Sequence, residues 1–151
     1  MKKILFILIL FSILLYGCAQ NNVGISPTTA NEPKDAGDAS RYLAFEKTHY
    51  ENSISEGKVI LLDFYANWCP ICRAENPSIR NGLKELNNPN VVAYQVHFND
   101  GETTQEHEDL AKQFGVNLQH TKVILKNGEF FSKSLESWSK DKTIDEISKA
   151  L

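Results

Sequence analysis

The sequence predicts an α/β domain with a mixed central sheet flanked by helices. Its expected element order from Arg41 to Leu151 is α-β-α-β-α-β-β-α. Three observations carry this reading. Val59–Tyr65, VILLDFY, is a nearly continuous apolar run of strand length, as in a strand covered on both faces. Cys72, Ile79, Leu83 and Leu86 then recur at spacings that suit one helical face. Finally, Lys126-Asn127-Gly128-Glu129 separates the apolar Val123-Ile124-Leu125 from Phe130-Phe131, and Asn-Gly in that setting is a strong hairpin signal.

The elements follow in order. RYLAFEKTHYENSIS, residues 41–55, places Tyr42, Phe45 and Tyr50 at loosely helical spacing, and Gly57 ends it. The strand Val59–Tyr65 carries one charge, Asp63. The next helix starts near Pro70, which suits a first turn because no backbone donor is lost there. Pro77 lies inside it and predicts a kink. Asn87-Asn88-Pro89-Asn90 stops it. Val91 to Phe98, VVAYQVHF, reads as a second strand, and Asn99-Asp100-Gly101 as a turn. Thr103 and Glu106 read as a capping box for a helix that includes Leu110, Ala111 and Phe114. After the hairpin, Thr143 and Glu146 read as a second box. Ile144, Ile147 and Leu151 then share one face of a final helix. A parallel pair followed by a hairpin makes the sheet mixed.

The 151 residues are enough for one domain of ordinary size, with 42% hydrophobic and 23% charged residues, a globular balance. The formal net charge of −3 gives no support for nucleic-acid binding. Residues 1–17 stand apart from this average. Lys2 and Lys3 precede the apolar run Ile4 to Tyr16, which is short for a membrane span of about 20 residues and fits the core of a secretory signal. A buried N-terminal helix would show a polar face, and this run has almost none. The run closes on Leu15, Gly17 and Cys18, which resembles the lipobox of bacterial lipoproteins. That resemblance implies lipidation of Cys18; the alternative is an ordinary cleavage site followed by a stray cysteine. Residues 18–40 are rich in Asn, Ala, Gly, Ser, Thr, Pro and Asp, and read as the anchored cysteine and a flexible linker. The domain is expected over residues 41–151.

Three cysteines make an odd count, which in an exported protein asks for an explanation. If Cys18 carries lipid, Cys69 and Cys72 remain as a pair, in the stretch NWCPICRAENP. Zinc normally takes four ligands, and no second Cys-x-x-Cys is present. A structural staple across so short a loop gains little. A redox pair fits better. Cys69 falls at a helix start, where exposed amides and the macrodipole favour a thiolate, and Cys72 lies three residues on, within reach.

The segment VILLDFYANWCPICRAENP, Val59 to Pro77, closely resembles the thioredoxin-like family. It has a tryptophan before the first cysteine, a basic residue after the second, and a proline five residues beyond that. The likeness extends through KNGE to the final helix. It implies a thioredoxin-like fold and a thiol-disulfide oxidoreductase with no bound cofactor. It also implies roles: Cys69 as the attacking thiolate, Cys72 as the resolving thiol, Trp68 as a wall beside Cys69, and Asp63 as a buried acid. Burial raises a carboxyl pKa, so Asp63 could take a proton from Cys72. The expected partners are exported protein thiols or disulfides, a membrane redox partner, and the membrane itself through Cys18, with no nucleic acid. The expected location is the bacterial cell envelope, facing the periplasm.

Two departures from the family pattern follow. Pro70-Ile71 stands between the cysteines, where the family often has Gly-Pro. Further on, the family's cis-proline position matches His120. A cis bond before a non-proline residue costs about 2.5–4 kcal/mol, so Gln119–His120 is expected to be trans. His120 could act as an imidazolium beside the thiols, complete a Cys69-Cys72-His120 metal or iron-sulfur site, or turn to solvent. His49, His97 and His107 show no partner in sequence and read as surface residues. A non-catalytic binding module that kept the fold is a further alternative.

Overall fold

The computed structural model describes residues 42–151; the leader, Cys18 and the linker lie outside the described residues. The strands are β1 (Tyr42–Ala44), β2 (Val59–Tyr65), β3 (Val91–His97), β4 (Thr121–Lys126) and β5 (Glu129–Ser134). The helices are α1 (Lys47–Ser55), α2 (Pro70–Leu86), α3 (Gln105–Gln113) and α4 (Lys140–Ser148). The five-stranded sheet has the order β1-β3-β2-β4-β5. β3 runs parallel to β1 and β2, whereas β4 is antiparallel to β2 and β5. Among the described residues no helix is long and apolar enough to cross a membrane.

β2 is central, and its alternation divides the core. Ile60, Leu62 and Phe64 pack on Tyr50 of α1 and on Leu110 and Ala111 of α3. Val59 and Leu61 face the other way, onto Ile79 and Leu83 of α2 and Ile147 of α4. Asp63 shares this second face. Both faces are covered, which is why the strand reads as an unbroken apolar run rather than an alternating one.

The opening segment differs from its sequence expectation. Tyr42–Ala44 is a strand, and the helix starts only at Lys47. A three-residue strand has no periodicity of its own. It exists because β3, about fifty residues on, offers an open edge, with Tyr42 opposite Ala93. The first capping box is displaced, and the second gives way to a simple N-cap. Thr104, not Thr103, caps α3, and His107 rather than Glu106 completes the box. Thr103 is occupied in the preceding turn, where its hydroxyl accepts from Asp100 N–H. For α4 the cap is Ser139; Thr143 lies one turn inside, and its hydroxyl donates to Ser139 O. α2 continues through Pro77 as one helix, although Pro77 has no N–H to give the preceding turn. The Asn-Gly hairpin forms as expected, with Asn127 at φ 53° and Gly128 at φ 79°, the positive values that its tight turn requires.

α2 and α4 approach closely at Gly82. A Cβ there would lie 2.7 Å from Thr143 Cβ and 2.9 Å from Lys140 O. Gly82→Ala is therefore expected to destabilise by about 1–3 kcal/mol through overpacking, despite alanine's better helix propensity. Urea titration checks this; a more stable variant would refute the close contact.

Candidate functional site

Cys69 is the N-cap of α2, with Pro70 in the first turn. Cys69 N–H donates to Ala66 O, and Cys72 N–H donates to Cys69 Sγ at 3.2 Å. The strand-to-helix turn thus points a backbone donor, Cys72 N–H, at the first sulfur, the arrangement that stabilises a thiolate. Cys69 and Cys72 are joined in a disulfide, with Cα atoms 5.3 Å apart. Both are largely buried against Ala66 and Tyr65, while Trp68, just before Cys69, and Ile71, between the two cysteines, are each 53% exposed.

Trp68, next to Cys69 in the chain, is about half exposed, and its Nε1–H donates to Asn99 O at 2.8 Å. The neighbouring Asn67 N–H donates to Asp100 Oδ2, which also lies 2.9 Å from His97 Nδ1. Burial pushes the Asp100 carboxyl up, but the hydrogen bonds from His97, Asn67 N–H and Glu102 N–H outweigh it and hold the group below its ordinary value. The turn after β3 therefore fixes the turn before Cys69. This also corrects the surface reading of the histidines. His97 is tied to Asp100 and Glu102, His107 is buried at the start of α3, and His49 Nδ1 lies 3.0 Å from Glu46.

Asp63 is buried, as expected for an acid beneath the site, and accepts a hydrogen bond from Tyr42 at 2.6 Å. It lies on the sheet face covered by α2, the helix that carries Cys72. Burial drives its carboxyl above the usual range. The Tyr42 hydroxyl, Lys122 and His120 oppose that rise, and Glu75 adds to it. The Tyr42 phenol is in turn pushed well up, by burial first and by Asp63 second.

Glu75 and Lys122 were not singled out in the sequence, and both are buried here. Lys122, with no exposed surface, forms an ion pair with Glu75 Oε1 and donates to the carbonyls of His120 and Glu136. Glu75 Oε2 accepts from Trp138 N–H at 3.0 Å. Their signal was available only in part. A lysine inside the apolar TKVILK echoes the aspartate inside VILLDFY, but that the two face each other needs the register, which sets Asp63 opposite Lys122.

His120 belongs to this cluster. Its Nδ1 lies 3.3 Å from Lys122 Nζ and 3.6 Å from Glu75, and its Nε2 lies 3.4 Å from the Ser137 hydroxyl. Burial and Lys122 hold its pKa below the ordinary histidine value, against the pull of Asp63. Burial and Lys122 thus both work against the imidazolium, and the ring is largely buried rather than turned to solvent. Among the described residues no group of three or more His, Cys, Asp or Glu side chains could hold a metal ion. The peptide bond before His120 is trans. Its backbone sits at φ 69°, and its N–H donates to Phe64 O at 2.6 Å. Proline can supply neither feature, so the departure from the family pattern is built into the backbone.

A thioredoxin family model matches residues 41–149. Thioredoxin H2 of Arabidopsis thaliana is 28% identical over 115 residues, covering 73% of this chain and 80% of its own. Protein disulfide-isomerase A4 of Bos taurus is 29% identical over 92 residues; the match takes in 60% of this chain but 13% of that protein. Among solved structures, thioredoxin NaTrxh from Nicotiana alata superposes with a TM-score of 0.57 at 25% identity, over 77% of this chain and 97% of its own. The chain belongs to the thioredoxin family, and Cys69–Cys72 is the disulfide of a thiol-disulfide oxidoreductase.

Proposed function

We propose that this protein is a membrane-anchored oxidoreductase that exchanges disulfides with exported proteins. The observation that carries the chemistry is Cys69 at the α2 N-cap, disulfide-bonded to Cys72 and flanked by exposed Trp68 and Ile71. The leader, the lipobox ending at Cys18 and the linker of residues 18–40 support anchoring and an envelope location facing the periplasm.

In the reducing direction, the Cys69 thiolate attacks one sulfur of a substrate disulfide. That S–S bond breaks, a mixed disulfide forms, and the other substrate sulfur leaves as a thiolate. The Asp63 carboxylate then takes the Cys72 proton. The Cys72 thiolate attacks Cys69 Sγ, the mixed disulfide breaks, and the second substrate sulfur is released. Two electrons have passed to the substrate, and Cys69–Cys72 is oxidised. A membrane redox partner restores the dithiol, or the same steps run backwards to oxidise a substrate dithiol.

Cys72→Ala removes the resolving thiol, so Cys69-linked adducts with exported proteins are expected to accumulate in the membrane fraction. They should vanish on reduction and in Cys69→Ala/Cys72→Ala, and shift to the soluble fraction in Cys18→Ala. Absence of Cys69-dependent adducts refutes exchange; membrane retention after loss of Cys18 refutes lipid anchoring.

A further inference from the structure

Asp63 is met from β1 by a side chain that a thiol-disulfide exchange does not itself require. Tyr42, fully buried, donates its hydroxyl to Asp63 Oδ2. The Tyr42 oxygen accepts from Asn76 Nδ2 at 3.0 Å, and Asn76 Oδ1 accepts from Arg80 Nε at 2.6 Å. Arg80 also covers the Tyr42 ring, with its guanidinium carbon 4.3 Å from the ring centroid.

The sense of this string is fixed by its first member. Arginine can only donate, so Asn76 must present its oxygen to Arg80 and its NH2 to Tyr42. With its oxygen accepting from Asn76, the tyrosine turns its own O–H to the carboxyl. All three donors thus point toward Asp63, from a cation at one end to an acid at the other. Hydrogen bonds aligned in one sense polarise one another, and together they favour the charged form of the final acceptor.

We propose that Tyr42, Asn76 and Arg80 are positioning residues for Asp63, a one-way hydrogen-bonded string that holds its carboxylate ready to take the Cys72 proton. The inference rests on Asp63 serving as that acceptor. The string lies on the β1 and α2 side of Asp63. The other charged or titratable groups around the acid are Lys122 of β4 and His120 just before it, Glu75 of α2, and Tyr65 on β2 itself. Lys122 is taken up by Glu75 and two carbonyls, which leaves the string as the oriented donor set on the Asp63 oxygen.

The test follows the Asp63 carboxyl by isotope-edited NMR titration of the full chain, alongside the pH profile of mixed-disulfide resolution. Tyr42→Phe keeps the ring and removes the donor, and should raise the Asp63 midpoint by about one pH unit. Arg80→Met, at the outer end, should raise it by less. Added to Tyr42→Phe it should do almost nothing, because the link is already cut. A merely structural role for Arg80 would not produce that non-additivity. An unmoved midpoint in Tyr42→Phe, or full additivity of the two substitutions, overturns the proposal. If the midpoint moves while the resolution profile stays put, the string stands and the role of Asp63 in resolution is what fails.

Discussion

Lys122→Met is expected to lower the unfolding free energy by about 3–5 kcal/mol, the usual cost of removing one partner from a buried ion pair. Methionine nearly preserves the packing volume beside Trp138, so the loss is electrostatic. Glu75 would keep the Trp138 N–H but lose the cation on its other oxygen. The carbonyls of His120 and Glu136 would lose a donor as well. Adding Glu75→Gln should restore much of the loss, because a neutral amide no longer demands a counter-charge while its oxygen can still accept from Trp138. Urea unfolding of the parent, the two single variants and the double variant forms the cycle that measures the coupling. Additive losses would show that Glu75 and Lys122 do not depend on one another.

Asp63→Asn is expected to act in the opposite direction, raising stability at neutral pH. Burial, only partly offset by the Tyr42 hydroxyl and Lys122, holds the folded carboxyl above its ordinary value. An unfolded aspartate titrates near pH 3.9. Between that value and the higher folded midpoint, the unfolded chain has released a proton that the folded chain still holds. Stability contributed by this group therefore falls as pH rises through that window and stays low above it. Each pH unit between the two midpoints costs about 1.4 kcal/mol. Asparagine cannot ionise and its oxygen can still accept from Tyr42, so the variant escapes the cost. The gain should disappear in acid, where both chains carry a neutral group at this position. Equal stability at neutral pH would show that the carboxyl is not held up by burial. The gain should be larger in the Lys122→Met background, since Lys122 pulls the carboxyl down. The more stable Asp63→Asn chain should also resolve mixed disulfides more slowly, the trade common where a buried charge serves a reaction.

Much of the architecture was legible in the sequence because it depends on local pattern. The apolar run of β2, the helical spacing of α2 and the Asn-Gly turn each carry their signal within a few residues. The same holds for Cys69 and Cys72, since a helix start with cysteines three apart is a local object. Asp63 could be singled out for a related reason: one acid inside an apolar strand stands out against its neighbours.

What escaped depends on which distant residues meet. Tyr42 looked helical, because the strand it forms exists only against β3. Lys122 inside an apolar strand carried part of a signal, but Glu75 on α2 did not, and that the two pair appears only when packing closes them on one another. His120 could be named but not characterised. Its charge state follows from burial and from Lys122, neither of which its own segment reveals. The sequence by itself therefore determined the redox pair, the buried acid and the order of most elements. Only the tertiary structure decided the environment of that acid. A pKa is set by desolvation and by charges that arrive from other strands and helices, and these act through space rather than along the chain.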